Sequence, residues 1–144
     1  MMRTAEAPRL RLLAEDADDL TVIAAALQDA VCKIGDIAYD AKARRLTLGV
    51  NRYRWEGPGG ERVRSGLQIG SVLTVQTRKL RRTAKAAVVE LLTLGFEAGD
   101  APGGVLSLTF AGGGDLRATV ECVDAVLADV SAPWPTPRTP THEA

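Results

Sequence analysis

Residues 33–120 contain seven short runs in which apolar and polar side chains alternate or β-branched residues predominate, and this period of two constrains the fold most strongly. The runs cover residues 33–39, 45–55, 62–69, 72–77, 88–96, 105–110 and 116–120. Short glycine-rich segments separate them, for example residues 57–60 and 112–115. Because such short connections join strands as hairpins, the sequence predicts a mainly antiparallel sheet.

Helical spacing flanks this β-rich region on both sides. Over residues 16–31 apolar side chains recur every three or four positions, and Asp16 is placed to cap the first turn. The same spacing returns over residues 122–130, which predicts a second helix that packs back on the sheet.

The predicted fold class is therefore α+β, with a mainly antiparallel sheet or partly closed barrel of about seven strands between an N-terminal and a C-terminal helix. Seven strands followed by a helix is also the element order of pleckstrin-homology-like barrels, although a fold analogy of this kind implies no ligand. An open, strongly curved sheet with both helices on one face is the alternative.

The length of 144 residues suits one domain, which we place at residues 1–130. Residues 131–144 contain four prolines and are predicted to form an extended or mobile tail, with its start anchored by Trp134 and the rest disordered. No stretch approaches the roughly 20 apolar residues that span a bilayer, and the N-terminus is too charged for a signal peptide. We therefore expect a cytoplasmic protein without membrane contact, in which Cys32 and Cys122 are buried free thiols.

The charges of the chain are segregated along the sequence. Residues 42–85 hold 12 of the 18 Lys and Arg residues and only two acids, Glu56 and Glu61, so that this segment carries +10 and the flanks carry −10. Opposed blocks of this size either attract a charged partner or neutralise each other within the molecule.

The sharpest candidate site is a hairpin segment that contains four arginines: Arg52, Arg54, Arg62 and Arg64. A turn at residues 57–60 is expected to pair Arg54 with Arg62 and Arg52 with Arg64, which places all four guanidiniums on one face. Apolar positions switch from even to odd numbers near Asn51, and this slip predicts a β-bulge there. Such a face suits bidentate contact with carboxylates or phosphates. Coverage by acids of the same molecule, or simple solvation, stays open.

A second basic run follows the fourth predicted strand and contributes Arg78, Lys79, Arg81 and Arg82 to the candidate partner-binding residues. It is expected to be an exposed connection that extends an anion-binding track, or one that discourages pairing of the neighbouring strand edge.

The sequence gives no positive signal for catalysis. The single histidine, His142, lies in the predicted tail, so histidine-dependent triads and zinc sites lack a ligand or base on a rigid element. The glycine clusters connect strand to strand and lack the pattern of a phosphate-binding loop. We therefore predict no catalytic residues, no cofactor and no metal.

The preferred function is a non-enzymatic interaction module that binds an acidic protein surface through the arginine-rich hairpin. The alternative is a module that binds nucleic acid or another polyanion, and an enzyme without a recognisable motif comes third. The sequence does not determine the oligomeric state, although the edge strands of an open sheet and the opposed charge blocks would both suit a homodimer.

Several strings of the sequence, among them LQDAVCKIGDIAYDAKARRLTLGVNRYRWE and RVRSGLQIGSVLTVQTR, resemble an uncharacterised alphaproteobacterial family, a domain of unknown function (DUF 2948). The resemblance covers about residues 9–135. It implies a bacterial cytoplasmic setting, and it implies no activity, cofactor or catalytic residue.

Overall fold

Antiparallel strands dominate the computed structural model, which describes residues 8–137 and residue 140. The described residues form ten strands and one helix: β1 Arg11–Ala14, α1 Ala17–Ala26, β2 Val31–Asp40, β3 Arg45–Tyr53, β4 Glu61–Ile69, β5 Val72–Arg78, β6 Val88–Ala98, β7 Gly104–Phe110, β8 Asp115–Val120, β9 Ala125–Asp129 and β10 Trp134–Pro135. All seven predicted strands are present, as β2 to β8, with boundaries shifted by a few residues.

The strands form one sheet in the order β1-β9-β4-β3-β2-β6-β7-β8-β5, and β10 pairs with β4 beside β9. Every pairing is antiparallel. The end strands β1 and β5 do not pair with each other, so the sheet is open. The predicted fold of seven strands with two helices, and its comparison with a pleckstrin-homology-like barrel, is therefore wrong.

The predicted C-terminal helix is strand β9. Its residues alternate between buried and half-buried positions, with Ala125, Leu127 and Asp129 facing inward. The apolar pattern fits both a helix and a strand, and long-range pairing decides the outcome, because β9 lies between β1 and β4 and bonds to both. Strand β1 is itself an element that the sequence did not reveal, since its few apolar residues are interrupted by charge.

The N-terminal helix is shorter than predicted. Asp16 caps it as expected, accepting a hydrogen bond from the Asp19 amide at 2.7 Å. The helix ends at Ala26 rather than at residue 31, because Val31 already pairs with Glu90 of β6. The helix buries Leu20 and Ile23 in the common core.

The inward face of β3 and β4 forms one wall of the core, and the pairing of these strands is continuous from Leu46 opposite Ile69 to Tyr53 opposite Arg62. The predicted bulge near Asn51 is therefore absent. A register shift occurs instead in β2, between Cys32 and Ile37, where β2 leaves β3. There the amides of Ile34 and Gly35 donate to the carbonyls of Ala87 and Lys85.

The start of the C-terminal segment lies along the sheet. Trp134 pairs with Arg62 of β4, and the Thr136 amide donates to the Gly60 carbonyl at 2.8 Å. His142 lies outside the described residues. Both cysteines are free; Cys32 is buried as expected, whereas Cys122 is only half-buried.

Candidate functional site

Arg52 occupies a core position. The inward row of β3 is Leu46, Leu48, Val50 and then Arg52, and the guanidinium side chain is fully buried, with 0% exposure. Arg52 lies opposite Val63, one residue away from the predicted register. The four arginines of the hairpin therefore do not share a solvent-facing side, and that prediction is wrong.

Two carboxylates hold the Arg52 guanidinium. Asp129 of β9 accepts from Nε through Oδ1 and from Nη2 through Oδ2, both at 3.0 Å. Glu56, in the turn after β3, accepts from Nη1 and Nη2 at 2.8 and 2.7 Å. Both contacts are bidentate, which is the strongest geometry for an arginine and a carboxylate.

Asp129 is saturated by further donors. The Ser65 hydroxyl donates to Oδ1 at 2.7 Å, and the Leu10 amide donates to Oδ2 at 2.9 Å. Ser65 stands directly opposite Asp129 across β4 and β9, so the carboxylate joins β9, β4, β3 and the segment before β1. We call Arg52, Asp129, Glu56 and Ser65 the buried ion cluster.

The pKa shifts in this cluster follow from the balance between burial and hydrogen bonding. Burial, the largest single effect on Asp129, favours its neutral form, but hydrogen bonds from Arg52, Ser65 and Leu10 outweigh it and keep the pKa below its ordinary value. Hydrogen bonds from Arg52 lower the pKa of Glu56. Burial opposes the charge on Arg52, yet its two carboxylate partners raise its pKa overall.

The other hairpin arginines also have partners within the molecule. Arg54 is buried and forms a salt bridge with Glu61. Arg64 forms one with Asp36 at 3.0 Å, and Arg62 donates to the Asn51 carbonyl at 3.0 Å. Neutralisation by acids of the same molecule, which the sequence left open, is thus the arrangement around three of the four arginines.

Sequence reasoning missed the two acids of the buried ion cluster. Asp129 lies 77 residues from Arg52, and no local pattern connects the two positions. Glu56 carried a usable signal, since it follows Arg52 by four residues and is one of only two acids in the basic segment.

The second basic run has a different environment. It begins at the end of β5 and continues into the connection to β6, where half-buried Leu80 packs against the core and holds the connection on the sheet. Exposed cations surround this anchor, together with Arg117 of β8, which pairs with Gln76 of β5. We call the following residues the basic surface: Arg78, Lys79, Arg81, Arg82, Lys85 and Arg117.

The basic surface keeps most of its charge. Among the six cations of the basic surface, only Arg78 forms a salt bridge with a described residue, Asp115, at 2.7 Å. Two adjoining cavities border this surface, and Asp115 is the only acid among the described residues that line them. Six cations and one carboxylate leave a net charge of +5.

A cavity of about 240 Å³ lies beside this surface, between β5 and the displaced part of β2. We call it the seam cavity. Seven of its eleven lining residues are aliphatic or aromatic, and Arg82 and Lys85 are charged, so that polar and apolar atoms contribute about equally to its walls. Tyr39 closes one end, with its hydroxyl 3.0 Å from the Val72 carbonyl and 3.1 Å from that of Leu73. The complete lining is Ile34, Gly35, Ile37, Tyr39, Leu46, Val75, Thr77, Leu80, Arg82, Lys85 and Leu116.

Cys32 is the buried cysteine of the described residues. Burial and the nearby Asp36, opposed by Arg64, raise the pKa of Cys32 to about 12, which keeps this thiol protonated at neutral pH. Among the described residues, no group of three or more His, Cys, Asp or Glu side chains is placed to hold a metal ion. None of the described helices has the length and apolar character needed to cross a membrane.

The family model named Protein of unknown function (DUF2948) matches residues 10–142. The chain belongs to this family. The match extends from the segment before β1 past β10, and so it includes the buried ion cluster, the basic surface and the seam cavity. Searches of curated proteins and of solved structures each found no match.

Breaking the buried ion cluster should destabilise the fold strongly. Arg52→Met leaves the Asp129 carboxylate in the core without its cation, and we expect a loss of about 3–5 kcal/mol in the free energy of unfolding. The double variant Arg52→Met, Asp129→Leu should lose less than the sum of its single variants, by at least about 1 kcal/mol. Urea denaturation measures all three.

Arg62→Met is the matched control, because Arg62 makes one hydrogen bond to a carbonyl and no salt bridge within the described residues. It should cost about 1 kcal/mol or less. Equal losses in Arg52→Met and Arg62→Met, or strictly additive losses in the double variant, would contradict the role of the buried ion cluster.

The cluster also predicts the response to acid. Because the pKa values of Asp129 and Glu56 are lowered in the folded state, their stabilisation is complete above the unfolded-state values of about 4. It is lost as the pH falls through the lower folded-state values.

Glu56→Gln should therefore flatten the decline in unfolding free energy between about pH 5 and pH 2.5. Glu97→Gln removes an exposed carboxylate of β6 that has no salt bridge within the described residues, and it should follow the wild-type curve. Parallel declines in Glu56→Gln and wild type would contradict the assignment.

Proposed function

We propose that this chain is a non-enzymatic interaction module that binds an acidic segment of a partner protein through the basic surface. The observation that carries the proposal is the net charge of +5 on exposed side chains, of which only Arg78 has a carboxylate partner among the described residues. Cations in this state attract an acidic partner without first breaking an internal ion pair.

We therefore assign the proposed partner binding to the second basic run and not to the arginines of the hairpin. Arg52 and Arg54 are buried in salt bridges, and exposing them to a partner would leave their carboxylates uncompensated. Arg64 has Asp36 as a competitor, and Arg62 is half-buried. Arg78, Lys79, Arg81 and Arg82 remain, and Lys85 and Arg117 join them.

An acidic protein segment fits this surface better than a nucleic acid does. Proteins that bind single strands combine cations with exposed aromatic rings on which bases stack. The large exposed aromatic side chains here, Trp55 and Trp134, adjoin the β3–β4 hairpin instead. Tyr39 is the only aromatic residue that lines the seam cavity, and its hydroxyl bonds to β5.

A bacterial cytoplasmic setting belongs to the same proposal. It is supported by the two free cysteines, which are typical of a reducing compartment.

Reversing the charge of the basic surface tests the proposal. Arg81→Glu with Arg82→Glu should leave the fold intact, since both side chains are exposed, and should reduce partner capture about tenfold or more by placing like charges against an acidic segment. Capture is measured by affinity purification from the native cytoplasm, with and without nuclease, followed by quantitative mass spectrometry.

Arg11→Glu is the control, because it reverses one exposed charge on β1, at the other end of the strand order. It should capture the same proteins as the wild type. Equal capture by all three chains would refute the proposal. Capture that disappears after nuclease treatment would favour the nucleic-acid alternative, whose affinity should also fall steeply with salt.

A further inference from the structure

We propose that the seam cavity receives one apolar side chain of an extended acidic peptide, which adds as a strand to the free edge of β5. This inference rests on the proposed function and specifies the conformation and sequence chemistry of its partner. It combines three features of the seam: an unpaired strand edge, a cavity beside it with a cluster of aliphatic lining residues, and cations placed on both faces.

Strand β5 ends the strand order and, among the described strands, pairs with β8 alone, so one edge of its backbone has no described strand partner. Its first residues are already occupied, because the Val72 amide donates to the Arg44 carbonyl and Tyr39 reaches the carbonyls of Val72 and Leu73. Residues 74–78 are left as the edge available for pairing. An extended peptide binds such an edge through main-chain hydrogen bonds.

The opposite side of the seam is held apart from β5. Strand β2 leaves its register with β3 between Cys32 and Ile37, and the amides of Ile34 and Gly35 donate to the connection before β6 instead. A Cβ at Gly35 would come within 2.9 Å of the Lys85 carbonyl oxygen, so this close approach requires glycine. The result is the seam cavity between β2 and the edge of β5.

The size of the cavity selects the kind of occupant. At about 240 Å³ it is smaller than the pockets of roughly 300–1,000 Å³ that enclose small-molecule ligands. Its volume suits a single leucine-sized or phenylalanine-sized side chain. The lining by Ile34, Ile37, Leu80 and Leu116 supplies the apolar contacts for it.

The cations near the cavity indicate which residues of the peptide should flank its apolar side chain. The part of the chain that the structure describes places Arg82 and Lys85, and no acid, in the lining of the seam cavity. On β5, Val75 and Thr77 line this cavity, and Gln76 and Arg78 line only an adjoining cleft. Val75, Thr77 and Arg82 border both spaces, and the wall of the cleft also contains Arg117 and Asp115, the salt-bridge partner of Arg78. Because side chains of an added strand alternate in the same way, an apolar residue above the cavity has neighbours directed at Arg78 and Arg117. Acidic residues on both sides of one apolar residue match this arrangement.

Three synthetic heptapeptides test the proposal against the intact chain. The first has a central leucine between Asp and Glu residues, the second replaces the leucine with serine, and the third is the leucine peptide with N-methylated amides. Titrations followed by two-dimensional 15N NMR give the affinity and identify the amides that shift.

The leucine peptide should bind about 10- to 150-fold more tightly than the serine peptide, as burial of one large apolar side chain predicts. Its binding should shift the amides of residues 74–78, and N-methylation should abolish it. Equal affinity for leucine and serine peptides, binding that survives N-methylation, or no binding of any peptide would overturn the inference.

Two chain variants separate this inference from the proposed function. Arg81 is exposed and does not line the cavity, so Arg81→Glu should weaken the leucine and serine peptides by the same factor. Thr77→Trp should fill the cavity and affect the leucine peptide alone. Weakening by Arg81→Glu without a leucine preference would leave the proposed function standing and refute the cavity role.

A fourth peptide, in which neutral residues flank the leucine, tests the acidic character of the partner separately. A leucine peptide with neutral flanks that binds as tightly as the acidic one would refute the acidic partner. Occupation of the seam by a second copy of the chain would also overturn the inference, and concentration-dependent shifts at residues 74–78 without peptide would reveal it.

Discussion

Arg52 crosses the interior from β3 to Asp129 on β9, and this buried contact connects parts of the sheet that are far apart in sequence. Removing a guanidinium and a carboxylate from water costs several kcal/mol for each ion, and only good geometry with further hydrogen bonds offsets that penalty. Asp129 accepts from Arg52, Ser65 and the Leu10 amide, and Glu56 completes the guanidinium. The cluster therefore fixes the position of β9 and of the segment before β1.

The cations of the basic segment therefore form two groups: those around β3 and β4 are mostly in salt bridges, and those after β5 are mostly exposed. Around β3 and β4, the salt bridges of Arg52, Arg54 and Arg64 stabilise the fold. After β5, the cations of the basic surface are exposed to solvent and mostly not neutralised by described acids, and they lie beside the end strand of the sheet. Residues 52–64 hold four arginines and two acids, whereas residues 78–85 hold five cations and no acid. The location of the acids therefore separates the buried ion cluster from the exposed basic surface.

The sequence predicts local features well and long-range ones poorly. Alternation and glycine-rich turns identify β2 to β8, and Asp16 marks the helix start. The C-terminal pattern fits two periods, and its choice of strand depends on pairing with β1 and β4. The hairpin register fails for one reason: an arginine follows Val50 on the inward row, where hydropathy predicts an apolar residue. Its partner is 77 residues away, so no local rule could identify it. The basic run at residues 78–82 is evident in the sequence, but the cavity beside it is not.

Hydrogen exchange at the arginine side chains, followed by NMR of the Nε–H groups, tests both the burial of Arg52 and the exposure of the basic surface. The Arg52 Nε–H donates to Asp129 in the core, so it should exchange orders of magnitude more slowly than those of the exposed Arg81 and Arg82. Arg52 exchange as fast as that of Arg81 and Arg82 would contradict the buried ion cluster and the division of charge that follows from it.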